Sequence, residues 1–161
     1  MYREIKAEIT VAAKIDEVWQ AWTTDDGAQT FFAPKSNILA DSGGSYELFF
    51  DLKAKKGEQG AENMKILAIQ PKKMLSFTWN NPPHLASIRN QLTHVTVWFE
   101  KMDDSTTKVI LHHDGWGSGE IWDQAFDYFT RAWQYIVLAR LRYRFKKGPI
   151  DWDNPPKLAN R

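Results

Sequence analysis

Cysteine is absent from the 161 residues, which excludes disulfides, thiolate metal sites and cysteine nucleophiles together. An excess of either charge is missing too. Against 21 basic side chains stand 20 acidic ones, for a net +1, and no stretch is basic enough to neutralise a phosphate backbone. Nucleic acid is therefore not an expected partner. The most basic run interleaves Arg140, Arg142, Arg144, Lys146 and Lys147 with Leu141, Tyr143 and Phe145, unlike a polybasic membrane tether. No apolar run approaches the ~18 residues that span a bilayer. Met1 to Ala13 carries charges throughout in place of an apolar signal core. Repeats and low-complexity tracts are lacking. These absences predict a soluble, cytoplasmic protein without membrane contact.

What is abundant is aromatic. Eight tryptophans bring Phe, Trp and Tyr to 14% of the chain. Indole joins a large apolar ring to one N–H donor and so serves cores, interfaces and pockets alike. The length fits one domain of the usual ~100–200 residues, large enough to bury roughly two thirds of its unfolded surface.

Tyr2 to Val11 alternates as a strand, with Ile5, Ala7, Ile9 and Val11 on one face. A short helix follows, with Asp16 as its N-cap and Val18, Ala21 and Trp22 at helical spacing. Thr24 to Asp26 turns into a second short helix near Phe31–Phe32, which Pro34 ends. Strands are predicted around Ser36–Leu39, Ser45–Leu52 (Tyr46, Leu48, Phe50 and Leu52 sharing a face), Met64–Ile69, Met74–Trp79, Leu92–Lys101 and Thr107–Asp114. Lys53–Glu62 reads as a mobile hairpin loop. Asn80–Asn90, with Pro82 and Pro83, reads as a loop long enough to be functional or mobile.

The clearest element comes last. Trp122, Phe126, Phe129, Trp133, Ile136, Val137 and Leu141 form one apolar stripe at 3.6-residue spacing. Ser118 is the expected cap and Gly148-Pro149 the stop. From Gly119 to Lys147 such a helix is about 43 Å long, a length suited to a sheet that curls around it. Residues 1–148 are read as the domain, and 149–161 as a Pro/Asn/Lys-rich tail lying loosely on the surface.

Several local motifs resemble one family when taken in order. They are Val18-Trp19-Gln20-Ala21-Trp22-Thr23, Phe31-Phe32-Ala33-Pro34, Gly43-Gly44-Ser45-Tyr46, the hairpin Ile69 to Trp79, and Leu111-His112-His113-Asp114-Gly115-Trp116 before the Trp-rich helix. Together they resemble the Hsp90-ATPase-activator-like branch of the START/SRPBCC superfamily over about residues 3–147. The resemblance implies an α+β helix-grip fold: a curved antiparallel sheet of six to seven strands around a long C-terminal helix, with two short helices after the first strand. The co-chaperone that gives the branch its name carries an additional N-terminal domain with no counterpart here, so a chaperone partner is not expected.

That fold implies a cavity between sheet and helix. Its expected lining is Tyr46, Phe50, Met64, Phe77, Trp79, Trp122, Phe126, Phe129 and Trp133, with Phe31 and Phe32 near the mouth. Tyr46 and His113 would supply the polar contacts. His113 shares an inward face with Val109 and Leu111. It is read either as a core histidine bonded to a carbonyl or a tyrosine, or as a group that orients a ligand or moves a proton. Pairing Val95 with Leu111 and Val97 with Val109 would set His94 opposite His112, with Asp114 near. Two solvated imidazoles are the adopted reading there, and neither a metal nor a cofactor is expected.

The leading expectation is a binding protein for a small hydrophobic or aromatic molecule. The alternatives are a cyclase- or hydrolase-like enzyme using His113, and an interaction module, chaperone-linked or self-associating as a homodimer through the outward Trp98 and Ile110.

Overall fold

The computed structural model describes residues 2–158. Met1 and the last three positions of the expected tail, residues 159–161, lie outside it. Strand β1 (Ile5–Val11) buries its odd-numbered residues and exposes Lys6, Glu8 and Thr10, as period-2 alternation requires. Helix α1 (Ile15–Thr23) begins two residues earlier than expected. Lys14 is its N-cap and makes no side-chain cap bond. Asp16 is therefore not the cap but a first-turn carboxylate, favourable to the helix dipole. Helix α2 (Asp25–Ala28) is capped by Thr24, whose Oγ1 accepts the Gly27 N–H at 3.0 Å.

Seven strands follow the predicted order but divide into two groups. A five-stranded antiparallel sheet runs β1–β7–β6–β5–β4, where β4 is Ile66–Gln70, β5 Met74–Trp79, β6 Thr93–Asp103 and β7 Thr106–Asp114. Strands β2 (Lys35–Ile38) and β3 (Tyr46–Phe49) form a ribbon of their own. The ribbon joins the sheet at Ser45 opposite Lys65, with Tyr46 N–H on the Met64 carbonyl at 2.9 Å. Strand β3 stops short of its expected end. Tyr46 and Leu48 are fully buried, whereas Phe50 and Leu52 emerge into solvent. The β6–β7 register also differs from the expected one by two residues. Val95 pairs with His113 and Val97 with Leu111, so His94 lies opposite Asp114 and His112 opposite Thr96. The inward and outward faces survive this shift, because two residues is the side-chain period.

The long helix is continuous but not uniform. Helix α3 (Glu120–Arg131) passes into a π-helical segment (Ala132–Val137) and then α4 (Leu138–Lys146). Gly119, at φ 109°, precedes it in place of Ser118 as the cap. Trp122, Phe129, Trp133, Val137 and Leu141 are buried as the stripe predicts, but Ile136 is 46% exposed. Gly148, at φ 134°, adopts the left-handed conformation and donates to the Arg144 carbonyl at 3.0 Å.

Two segments are better anchored than the sequence suggests. Asn80–Asn90 holds a 3₁₀ turn (Ala86–Ile88), and its Leu85 and Ile88 form a second small core with Trp122 and Ala125. The tail does not begin loosely. Ile150 is buried and donates to the Thr30 carbonyl at 2.8 Å, and the Trp152 indole donates to the Gln29 carbonyl at 2.7 Å.

Candidate functional site

Where β5 ends, two asparagines and two prolines carry the chain away from the sheet. Prolines restrict the backbone and offer no N–H, so this corner is held by side chains. Asn80 donates to the Gly60 carbonyl at 2.9 Å, and Asn81 donates to the carbonyls of Ile88 and Gln91 at 2.9 and 3.0 Å. Asn81 Oδ1 is buried and has no partner among the described residues. Arg89 returns from the 3₁₀ turn as a clamp. Its guanidinium donates to the carbonyls of Gly57 (3.0 Å), Gly60 (2.7 Å) and Asn81, with Glu62 at 3.9 Å. Burial lowers its pKa, while the charges of Glu62 and Glu58 act in the opposite direction.

This clamped corner faces the π segment across a cleft of about 270 Å³. One wall is Phe32, Phe50 and Trp79; the other is Phe129, Trp133, Ile136 and Val137, with Ala132 between them. Phe32 stacks on Trp79 at 5.9 Å, and Trp79 meets Trp133 at 5.2 Å between ring centroids. Asn80 to Pro83 form the lip, and Tyr128, Arg89 and Arg140 complete the lining. Phe50 and Ile136 stay 41% and 46% exposed because they edge the opening. A π segment widens the helix and shifts the following side chains, and such segments recur at functional sites. Here Ala132, Trp133, Ile136 and Val137 of the segment and Arg140 of the next turn all line the cleft.

Of the twelve lining residues expected from sequence, Phe32, Phe50, Trp79, Phe129 and Trp133 meet at this cleft. Phe31, Tyr46, Met64 and Phe77 belong to the main core instead. The Tyr46 hydroxyl donates to the Trp22 carbonyl at 2.8 Å, its ring stacks on Phe77 at 4.3 Å, and burial raises its pKa well above 10. Trp122 serves the second core, and Phe126 lies beneath the Arg3 guanidinium at 4.7 Å.

His113 is also in the core and does not line the cleft. Trp133 Nε1–H donates to its Nδ1 at 2.9 Å, and its Nε2 lies 2.6 Å from Thr93 Oγ1. The first bond makes Nδ1 the acceptor, so the proton is on Nε2 and is donated to Thr93. Thr93 in turn donates to the Trp79 carbonyl at 3.1 Å. Neither a backbone carbonyl nor a tyrosine is the histidine's partner. A chain of neutral hydrogen bonds connects two tryptophans of the cleft through His113.

On the outer sheet face, His94 Nδ1 lies 3.4 Å from Asp114, and His112 Nδ1 lies 3.6 Å from Glu4. The two imidazoles are not cross-strand partners. Sequence reasoning missed Arg89, Arg140, Asn81 and Tyr128. Arg89 did carry a signal, as the one formally charged residue between Asn80 and Asn90.

The family model described as Activator of Hsp90 ATPase homolog 1-like protein matches residues 12–146. The fold is similar to that of CalU16 from Micromonospora echinospora (20% identity, TM-score 0.67, covering 92% of this chain and 77% of that one). It is also similar to the Aha1 dimer from Colwellia psychrerythraea (18%, 0.65, 91% and 98%) and to MLL2253 from Mesorhizobium loti (18%, 0.63, 81% and 88%). At these identities the likeness is one of fold. No curated protein matches the sequence.

Proposed function

The chain belongs to the Activator of Hsp90 ATPase homolog 1-like family, and from that premise we propose that it binds a small hydrophobic or aromatic molecule in the cleft between the Asn80–Asn90 corner and the π segment. The observation that carries this reading is the cleft itself: about 270 Å³ walled by Phe32, Phe50, Trp79, Phe129 and Trp133, beside a helix that departs from α geometry. Aromatic walls with a few polar groups are the usual composition of a small-molecule site. The site is displaced from the one expected. The centre of the sheet–helix interface is filled by Tyr46, Phe77 and their neighbours, and the space lies at its edge.

A ligand that hides about 200–300 Å² of apolar surface gains roughly 5–7 kcal/mol gross. Ordering and desolvation reduce this to micromolar affinity. His113 lies outside the cleft with both ring nitrogens engaged, which favours binding over a histidine-dependent reaction.

The test is fluorescence titration with the neutral dye phenylnaphthylamine. Saturable micromolar binding is expected, and it should be lost in Ala132→Trp, where an indole fills the cleft from its wall. Binding unchanged in that folded variant would place the dye elsewhere and sink the reading.

Self-association is a second reading, favoured by one observation. Trp98 remains 37% exposed on the outer sheet face, beside His112 at 4.8 Å between ring centroids. A monomeric mass in solution at tens of micromolar protein would remove it.

A further inference from the structure

Two arginines line the cleft, and no carboxylate does. The two are not equivalent. Arg89 is saturated by the carbonyls of Gly57, Gly60 and Asn81 and by nearby Glu62. Arg140 is half-buried and has no hydrogen-bond or ion-pair partner among the described residues; its one recorded polar contact is the face of Trp152, 5.2 Å from guanidinium to ring centroid. Burial accordingly lowers its pKa, and no anion among the described residues opposes the shift. A cation removed from water without a counter-charge is costly, and an anion at that point would offset the cost.

The geometry suits a planar anion. Trp152 is held in place by its own indole bond to the Gln29 carbonyl. The Trp152 ring, 5.2 Å from the guanidinium carbon, takes up none of its N–H donors in a hydrogen bond, which leaves them free to meet a carboxylate in two parallel bonds. Arg140 also lies where the cleft meets a second groove along the outer side of the helix, which shares Tyr128, Ala132 and Ile136 with it. That outer groove is lined by one carboxylate, Asp127, and by two guanidinium groups, Arg131 and Arg140, so basic charge is in excess at the junction among the described residues.

We propose that the ligand is an aromatic carboxylic acid bound as its anion, the ring between Trp79 and Ile136 and the carboxylate on Arg140. This rests on the binding role proposed above and specifies its chemistry.

The experiment compares naphthoate with naphthamide, two probes of matched shape that differ in charge, by isothermal titration at neutral pH. Naphthoate should bind at least ~10-fold more tightly, the scale of a charge-assisted bidentate bond. Arg140→Gln should bring the two to near parity, and Arg140→Lys should restore part of the preference. Equal affinities in the wild type, with both probes bound, would overturn this inference and leave the apolar binding role standing. A naphthoate preference that survives in Arg140→Gln would also overturn it, by placing the anion elsewhere. If neither probe binds, the inference fails, and the dye titration decides the binding role by itself.

Discussion

Trp133 donates its indole N–H to Nδ1 of His113 across 2.9 Å, and this one bond fixes which nitrogen of the histidine is protonated. The imidazole thereby becomes a link between the helix and the two central strands, passing from Trp133 through Thr93 to the Trp79 carbonyl. His113→Ala should leave the Trp133 N–H without its acceptor and Thr93 Oγ1 without the donor it accepts from, and open a void. The expected loss is about 2–4 kcal/mol, read by urea denaturation. A loss below ~1 kcal/mol would show that the network carries little stability and would return His113 to the list of catalytic candidates.

The same bond predicts an acid-sensitive fold. Burial, helped by the charge of His94, holds the His113 pKa well below 6.5. Above pH 6.5 the imidazole is neutral in both the folded and unfolded chain. Below it the unfolded chain takes up the proton first, so this group's contribution to stability is present above pH 6.5 and lost as pH falls toward the depressed folded value. The loss is at most about 1.4 kcal/mol per pH unit. Melting temperature measured from pH 7.5 to 5 should fall more steeply in the wild type than in His113→Gln. Parallel curves would contradict the assignment.

Arg89 joins the hairpin loop around Gly57 and Gly60 to the corner at Asn81. Removing it takes a donor from three carbonyls, of which Gly60 keeps only its bond from Asn80, and lysine offers a point charge where a planar fork is needed. Arg89→Lys and Arg89→Met should both raise hydrogen exchange across residues 57–62 and 80–91 and weaken dye binding several-fold. Exchange that increases in only one loop would show that the guanidinium does not couple them.

Gly27 gives a test of the helix pair that carries Phe31 and Phe32. A Cβ there would fall on the backbone of Gln20 and Ala21, so the close approach of α2 to α1 depends on the missing side chain. Gly27→Ala should cost about 1–3 kcal/mol as an overpacked contact, visible as a lowered thermal midpoint. An unchanged or raised midpoint would mean the two helices separate at no cost.

Much of the fold was legible because the apolar periods are strong. The alternation in Ile5–Val11 and Met74–Trp79 and the stripe from Trp122 to Leu141 each fix an element and its buried face, whatever surrounds it. Element ends were harder to read. Asp16 and Ser118 have the chemistry of caps, but the chain enters the first helix two residues earlier and the last one residue later, because backbone conformation at the boundary is set by the packing of the elements on either side. The β6–β7 register was misread for a related reason. A shift of two residues preserves every inward face, so hydrophobic pattern alone cannot detect it.

The sequence by itself determined the class of architecture, the element order and which faces are buried, since these follow from local periodicity and from the apolar surface that must leave water. Only the tertiary structure decided where the empty space lies. Twelve residues were expected around one cavity, and packing divided them between two cores, a histidine network and a cleft that shares five of them. Pattern tells an inward side chain from an outward one but not a wall from filler, because both are apolar and inward. The π segment, the Arg89 clamp and the half-buried Arg140 over Trp152 arise from contacts between residues distant in the chain, which no local spacing encodes.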